Sequence, residues 1–68
     1  MHYYRIKLRR YKRGHYGCTL YTFPIRVRAV FFAEGYQAAL RDVGLSDVYV
    51  SVHDEKGVRV FEASDVHQ

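Results

Sequence analysis

The sequence contains few residues that cross-link a chain, and its first 30 residues contain no acidic side chain. Cys18 is the only cysteine, which excludes an intramolecular disulfide and a zinc site built from several thiolates. No hydrophobic run approaches the roughly 18 residues that a membrane-spanning helix needs. Residues 1–5 lack the apolar segment of a signal peptide. These absences predict a cytoplasmic protein in a reducing compartment, with no membrane partner.

The length limits the fold to one domain, residues 1–68. Hydrophobic residues make up 49% of the chain and aromatic residues 16%, which is enough for a packed core. A domain of this size buries only about 60% of its unfolded surface, so its stability is marginal. With no disulfide available, we expect the core, an oligomer or a partner to stabilise the fold.

Charge is distributed unevenly along the chain. Residues 1–30 hold eight Lys and Arg residues and no acid, whereas residues 31–68 hold three cations and seven acids, for a net charge of +4. Such asymmetry indicates an anionic partner. Nucleic acid and an acidic protein surface both meet that requirement.

Hydrophobic periodicity predicts an α+β fold in the order β-β-α-β-β. Alternation indicates strands, a stripe at helical spacing indicates one helix ending at Gly44, and the last residues lack periodicity. The predicted strands cover 2–13, 18–30, 48–53 and 58–61, the helix covers 32–43, and 62–68 is a frayed tail. We expect a mainly antiparallel sheet with the helix on one face. The predicted core comprises Tyr4, Ile6, Leu8, Tyr21, Phe23, Ile25, Val27, Phe32, Tyr36, Leu40, Val43, Val48, Val50, Val52 and Val60.

The basic residues of the first two strands form the main candidate site. Alternation places Arg5, Lys7 and Arg9 on one face, about 7 Å apart along the strand. Cations and interleaved aromatic rings on an open sheet face are typical of a nucleic-acid platform. The predicted binding residues are Arg5, Lys7, Arg9, Arg10, Lys12, Arg13, Arg26, Arg28, Tyr3, Tyr11 and Tyr16. The alternative is that Lys and Arg protect an edge strand from pairing with another sheet.

A second candidate surface is hydrophobic. Leu20, Phe31 and Tyr49 are predicted to be at least partly exposed, and they suit a protein interface or a homodimer. For Phe31 the alternative is a hydrophobic staple that packs over the helix start.

No catalytic motif is present. The sequence lacks G-x-S-x-G, H-E-x-x-H, C-x-x-C and a glycine-rich phosphate loop. The four histidines are scattered and show no metal-ligand spacing. We therefore predict a protein that is not an enzyme and needs no cofactor or metal.

The order of the predicted elements resembles that of known small proteins. The resemblance rests on two segments, residues 22–29 (TFPIRVRA) and 33–40 (AEGYQAAL). The plan is a basic hairpin, a strand ending in Ala, a short amphipathic helix and a further strand. This plan resembles the small host-takeover proteins of phages, such as β-β-α-β inhibitors of host RNA polymerase. The plan is also similar to the RNA-binding archaeal ribosomal protein LX, and a β-grasp fold has the same element order. The resemblance covers residues 3–53 and departs at Phe31-Phe32, where these families place Ser or Thr and acidic residues.

Two functional predictions follow. The first is a nucleic-acid-binding module that uses the basic hairpin. The second, which the phage resemblance implies, is an inhibitor or adaptor that binds an acidic or nucleic-acid-binding surface of a host protein complex in the host cytoplasm.

Overall fold

The computed structural model describes residues 2–11 and 13–65 and confirms the predicted β-β-α-β-β order. The strands are β1 (Tyr4–Arg10), β2 (Thr19–Phe23), β3 (Val48–His53) and β4 (Arg59–Glu62). The helix α1 spans Arg26–Asp42, and a 3₁₀ turn, Ala63–Asp65, follows β4. The predicted frayed tail therefore includes an ordered strand end and turn, while its residues 66–68 lie outside the described residues.

The four strands form one antiparallel sheet in the order β2-β1-β3-β4. Strand β1 lies inside the sheet, with Ile6 paired to Tyr21 of β2 on one side and to Val52 of β3 on the other. Helix α1 packs on one face of the sheet, and we call the opposite face the outer face.

The core lies between α1 and the sheet. Its fully buried hydrophobic residues are Ile6, Ala29, Ala33, Val50, Val52 and Ala63, and Tyr4, Leu8, Phe23, Phe32, Tyr36, Leu40, Val60 and Phe61 pack around them. Small alanines at the centre of the contact let the helix approach the strands closely. The sequence prediction was wrong for Tyr21, Ile25, Val27 and Val43, which are largely exposed.

The predicted second strand was too long. It ends at Phe23, and α1 begins at Arg26 with Ile25 as an extended N-cap residue. Pro24 explains the break, because it lacks the N–H that a strand ladder needs. The buried residues Ala29, Ala33 and Gln37 recur every four residues, which is the helical period.

Phe31 and Phe32 consequently lie inside the helix rather than at its start. Phe32 packs on the aromatic rings of Tyr21, Phe23 and Tyr36, as expected of a core residue. Phe31 is 67% exposed, so it does not serve as a staple over the helix entry.

The helix ends as the sequence indicates. Gly44 has φ +87°, the N–H of Gly44 donates to the carbonyl of Arg41, and the N–H of Leu45 donates to the carbonyl of Leu40. This pair of bonds is the Schellman arrangement, which favours glycine because the left-handed conformation crowds a Cβ atom.

Candidate nucleic-acid interface

The basic strand β1 is an interior strand of the sheet. It pairs with β2 at Tyr4–Lys7 and with β3 at Arg5–Arg10, so Arg5 and Lys7 cannot act as protection for an open edge. The edge-protection interpretation of these charges is therefore wrong, and the cations need another explanation.

Alternation on β1 places Arg5, Lys7 and Arg9 on the outer face, as predicted. Their partners on β3 are His53, Ser51 and Tyr49 respectively, which share that face. Ser51 and His53 were not predicted to belong to the site, although their alternation with the valines of the same strand was a visible signal.

Arg9 differs from the other two cations because it is only 6% exposed. Its guanidinium donates to Glu62 Oε2 at 3.0 Å and to the Tyr11 carbonyl at 2.9 Å. It also lies over the ring of Tyr49 at 4.8 Å and that of Tyr16 at 5.6 Å. Arg9 therefore fastens β4 and the β1–β2 loop to the sheet, and it is not available to bind phosphate.

Tyr16 covers the β3 side of this face rather than standing free. Its ring meets the ring of His53 edge-on at 4.4 Å. His53 Nε2 lies 3.0 Å from Ser51 Oγ, and both side chains are buried. Burial lowers the pKa of His53 below 6.5, with Lys7 and Arg59 adding to the shift and the Gly57 carbonyl and Glu62 opposing it. The histidine is thus held neutral in a cationic neighbourhood.

A basic patch remains on the β1–β2 half of the outer face. It consists of Tyr3, Arg5, Lys7 and Thr22. Arg5 Nη2 donates to the Tyr3 hydroxyl at 2.6 Å, and its guanidinium lies 4.8 Å from the centre of that ring. Thr22 is exposed on β2 next to Arg5. Within the described residues no carboxylate forms an ion pair with Arg5 or Lys7.

The tip of the hairpin adds positive charge near the end of β1. Arg10 and Arg13 are exposed, and Arg10 forms a surface ion pair with Asp47 at 3.3 Å. Tyr11 is also exposed, with φ 65° and its N–H bonded to the Asp47 carbonyl. Lys12, the remaining predicted residue of the tip, lies outside the described residues.

Arg26 and Arg28 do not belong to this face. The prediction placed them on the second strand, but both lie on α1, on the opposite side of the sheet. Arg26 donates to the Val60 carbonyl at 3.3 Å, and Arg28 is exposed to solvent.

The three residues predicted for a protein interface do not form one surface. Leu20 lies on the edge strand β2, Phe31 lies on α1, and Tyr49 lies half-buried beneath Arg9 on the outer face.

A groove of about 680 Å³ opens between the β1–β2 loop and the loop that follows α1. Its apolar lining includes Leu8, Leu45 and Val48, and its polar lining includes Arg10 and His15. Leu8 also packs on the core beneath α1, so the groove lies on the α1 side of the sheet and not on the outer face.

Over residues 2–11 and 13–65, no three His, Cys, Asp or Glu side chains are placed to hold a metal ion. In the same residues, no helix combines the length and hydrophobicity needed to cross a membrane.

Comparisons with models of protein families, with curated proteins and with solved structures find no significant match. The fold and the site therefore define a class only: a small α+β domain with a four-stranded antiparallel sheet and a basic patch on its open face.

Proposed function

We propose that the protein binds single-stranded nucleic acid on the basic patch of its outer face. The supporting observation is that Arg5 and Lys7 lie side by side on an interior strand, with no acid paired to either in the described residues. Cations that neither protect an edge nor pair with a carboxylate are suited to phosphate contacts.

The neighbouring groups favour a single strand over a duplex. Tyr3 offers an aromatic ring next to a cation, and Thr22 offers a hydroxyl on the same face. Unpaired bases stack on such rings, and a sheet surface accommodates bases that are splayed out of a helix.

The test compares two charge reversals on opposite sides of the sheet. Arg5→Glu and Arg28→Glu change the net charge equally, but only Arg5 lies in the basic patch. Fluorescence anisotropy with labelled single-stranded RNA and DNA, over a range of salt concentrations, measures both affinity and its salt dependence. We expect Arg5→Glu to weaken binding and to reduce the log–log salt slope by about 0.7 for each phosphate that the variant no longer neutralises.

Arg28→Glu is expected to bind almost as the wild-type protein does. Equal losses of affinity from both variants would indicate a general charge effect and contradict the assignment to the outer face. Absence of binding to any nucleic acid at low salt would overturn the proposed function itself.

A host protein complex is the second candidate partner, and the exposed pair Val27 and Phe31 on α1 favours it. These residues lie one helical turn apart and are 51% and 67% exposed. A stable complex that survives nuclease treatment and is abolished by Phe31→Asp, but not by Arg5→Glu, would support this function over the first.

A further inference from the structure

The two edges of the sheet are protected to different extents. At the β4 edge, the strand is four residues long, includes Arg59 and Glu62, and has the Val60 carbonyl occupied by Arg26. At the other edge, β2 is five residues long, contains no charged residue, and is exposed from Thr19 to Thr22. Natural proteins protect edge strands with charges, covering segments or bulges. The pairing of β2 with β1 is irregular at one position. Within the described residues, no charged side chain of β2 and no covering strand protects the outer side of β2.

We infer that β2 of one molecule pairs in antiparallel register with β2 of a second copy, which joins the two sheets into one of eight strands. The strand is self-complementary about its midpoint, Tyr21. A twofold axis there places Tyr21 opposite Tyr21 of the second copy and Leu20 opposite Thr22 of the second copy. Aromatic cross-strand pairs stabilise a sheet, and no like charges face each other in this register. Such a contact is isologous, as in most homodimers.

The hydrophobic exposure of β2 supports association. Leu20 is 36% exposed and Tyr21 is 56% exposed. Both lie in an edge strand whose outer side pairs with no other strand of the described residues. Pairing satisfies the backbone groups and lets each of these side chains pack against its cross-strand neighbour, which covers part of its apolar surface.

The positive charge of each copy does not prevent this contact. The nearest charged strand is β1, and the β1 strands of the two copies would lie three strand spacings apart, about 14 Å. The Debye length at physiological ionic strength is about 8 Å, so the repulsion between them is largely screened. The same reasoning predicts that dimerisation strengthens as salt is added.

Sedimentation of nuclease-treated protein at micromolar and millimolar concentrations tests the inference. We expect the wild-type protein to shift towards twice the monomer mass as its concentration rises. The double variants Leu20→Lys/Thr22→Lys and Leu20→Glu/Thr22→Glu should each remain monomeric, because like charges would face each other across the twofold axis. An equimolar mixture of the two variants should recover the dimer, because opposite charges then face each other.

The double variant Val27→Lys/Val58→Lys is the matched control. It adds the same charge at two exposed apolar positions outside β2 and should still dimerise. Circular dichroism establishes that each variant is folded. A wild-type protein that stays monomeric at all concentrations overturns the inference, as does a dimer that the charge-paired mixture fails to restore. Because nucleic acid is absent, neither result depends on the proposed function.

Discussion

Gln37 shows how much one buried polar residue contributes to this small fold. It is 1% exposed on α1, its amide nitrogen donates to the Val48 carbonyl, and its amide oxygen accepts from the Val50 N–H, each at 2.8 Å. Strand β4 pairs only with Ser51, Val52 and His53 of β3. The side-chain amide therefore serves the first half of β3, where β4 does not reach.

We predict that Gln37→Leu lowers the free energy of unfolding by at least about 2 kcal/mol. The substitution leaves a buried carbonyl and a buried N–H without partners, and each such group costs about 1–3 kcal/mol. Urea denaturation measures the change, with Ala39→Leu at an exposed position of α1 as the control. A loss of stability for Gln37→Leu no larger than that of the control would contradict the role assigned to the amide.

His53 leads us to predict that stability depends on pH. The folded protein lowers the pKa of His53 below 6.5, chiefly through burial, so the unfolded chain binds the proton more readily. The stability contributed by neutral His53 is fully present above pH 6.5 and is lost as pH falls towards the lower pKa of the folded state. Thermal unfolding of wild-type and His53→Gln proteins across this window should show a steeper loss of stability for wild type.

The two proteins differ only at position 53, so the difference between their profiles reports on His53. Parallel profiles for the two proteins would show that His53 titrates alike in the folded and unfolded states, against the prediction.

At the scale of elements, α1 and its C-terminal end contain two glycines with opposite requirements. Gly35 lies inside the helix, and a Cβ atom there would meet no atom within 4 Å. Gly44 also has open space around it, but its φ of +87° lies in the left-handed region.

We therefore predict that Gly35→Ala stabilises the protein by about 0.5–1 kcal/mol, because alanine favours the helix interior. Gly44→Ala should destabilise it by about 1 kcal/mol, because the Schellman end requires a left-handed residue. Chemical denaturation of the two variants measures both changes. Shifts of the same sign would contradict the conformational explanation.

The elements also show what the sequence can predict. Strands β1 and β3 and the helix end at Gly44 were predicted well, because alternation and the position of a glycine are local signals. The start of α1 was missed because Arg26 to Ala29 fits both the strand period and the helical period. Pro24, immediately upstream, was the better guide to where the strand ends.

The candidate site could be predicted only in part, because alternation along one strand does not show which distant residues contact it. Alternation placed Arg5, Lys7 and Arg9 on one face correctly, but it could not show that Arg9 is buried against Glu62. That interaction depends on the register between β1, β3 and β4, which involves residues far apart in the chain. Likewise, Tyr16 packs on His53 because of the course of the β1–β2 loop, which has no periodic sequence pattern that would predict it.

At the scale of the whole molecule, some cations of residues 1–30 pair with acidic residues of 31–68. Within the described residues, two ion pairs join the basic first half to the acidic second half, Arg9 with Glu62 and Arg10 with Asp47. A hydrogen bond between His2 Nδ1 and Glu55 Oε1 at 2.7 Å also links the two halves. The exposed Arg10–Asp47 pair contributes little to stability, since surface ion pairs are worth about 0–1 kcal/mol. We therefore expect the proposed nucleic acid to contact Arg5 and Lys7, which form no such pair within the described residues.

The interior position of β1 also determines the order in which the molecule can fold. The first strand of the chain lies between β2 and β3, and β3 follows the entire helix in sequence. A β1–β2 hairpin alone is at best marginally stable in water. A nascent chain that has reached only Asp42 therefore lacks β3, which pairs with β1, and β4, which completes the sheet. The rate-limiting step should be closure of the long loop that brings β3 to β1, which makes folding slower than in a protein built from local contacts.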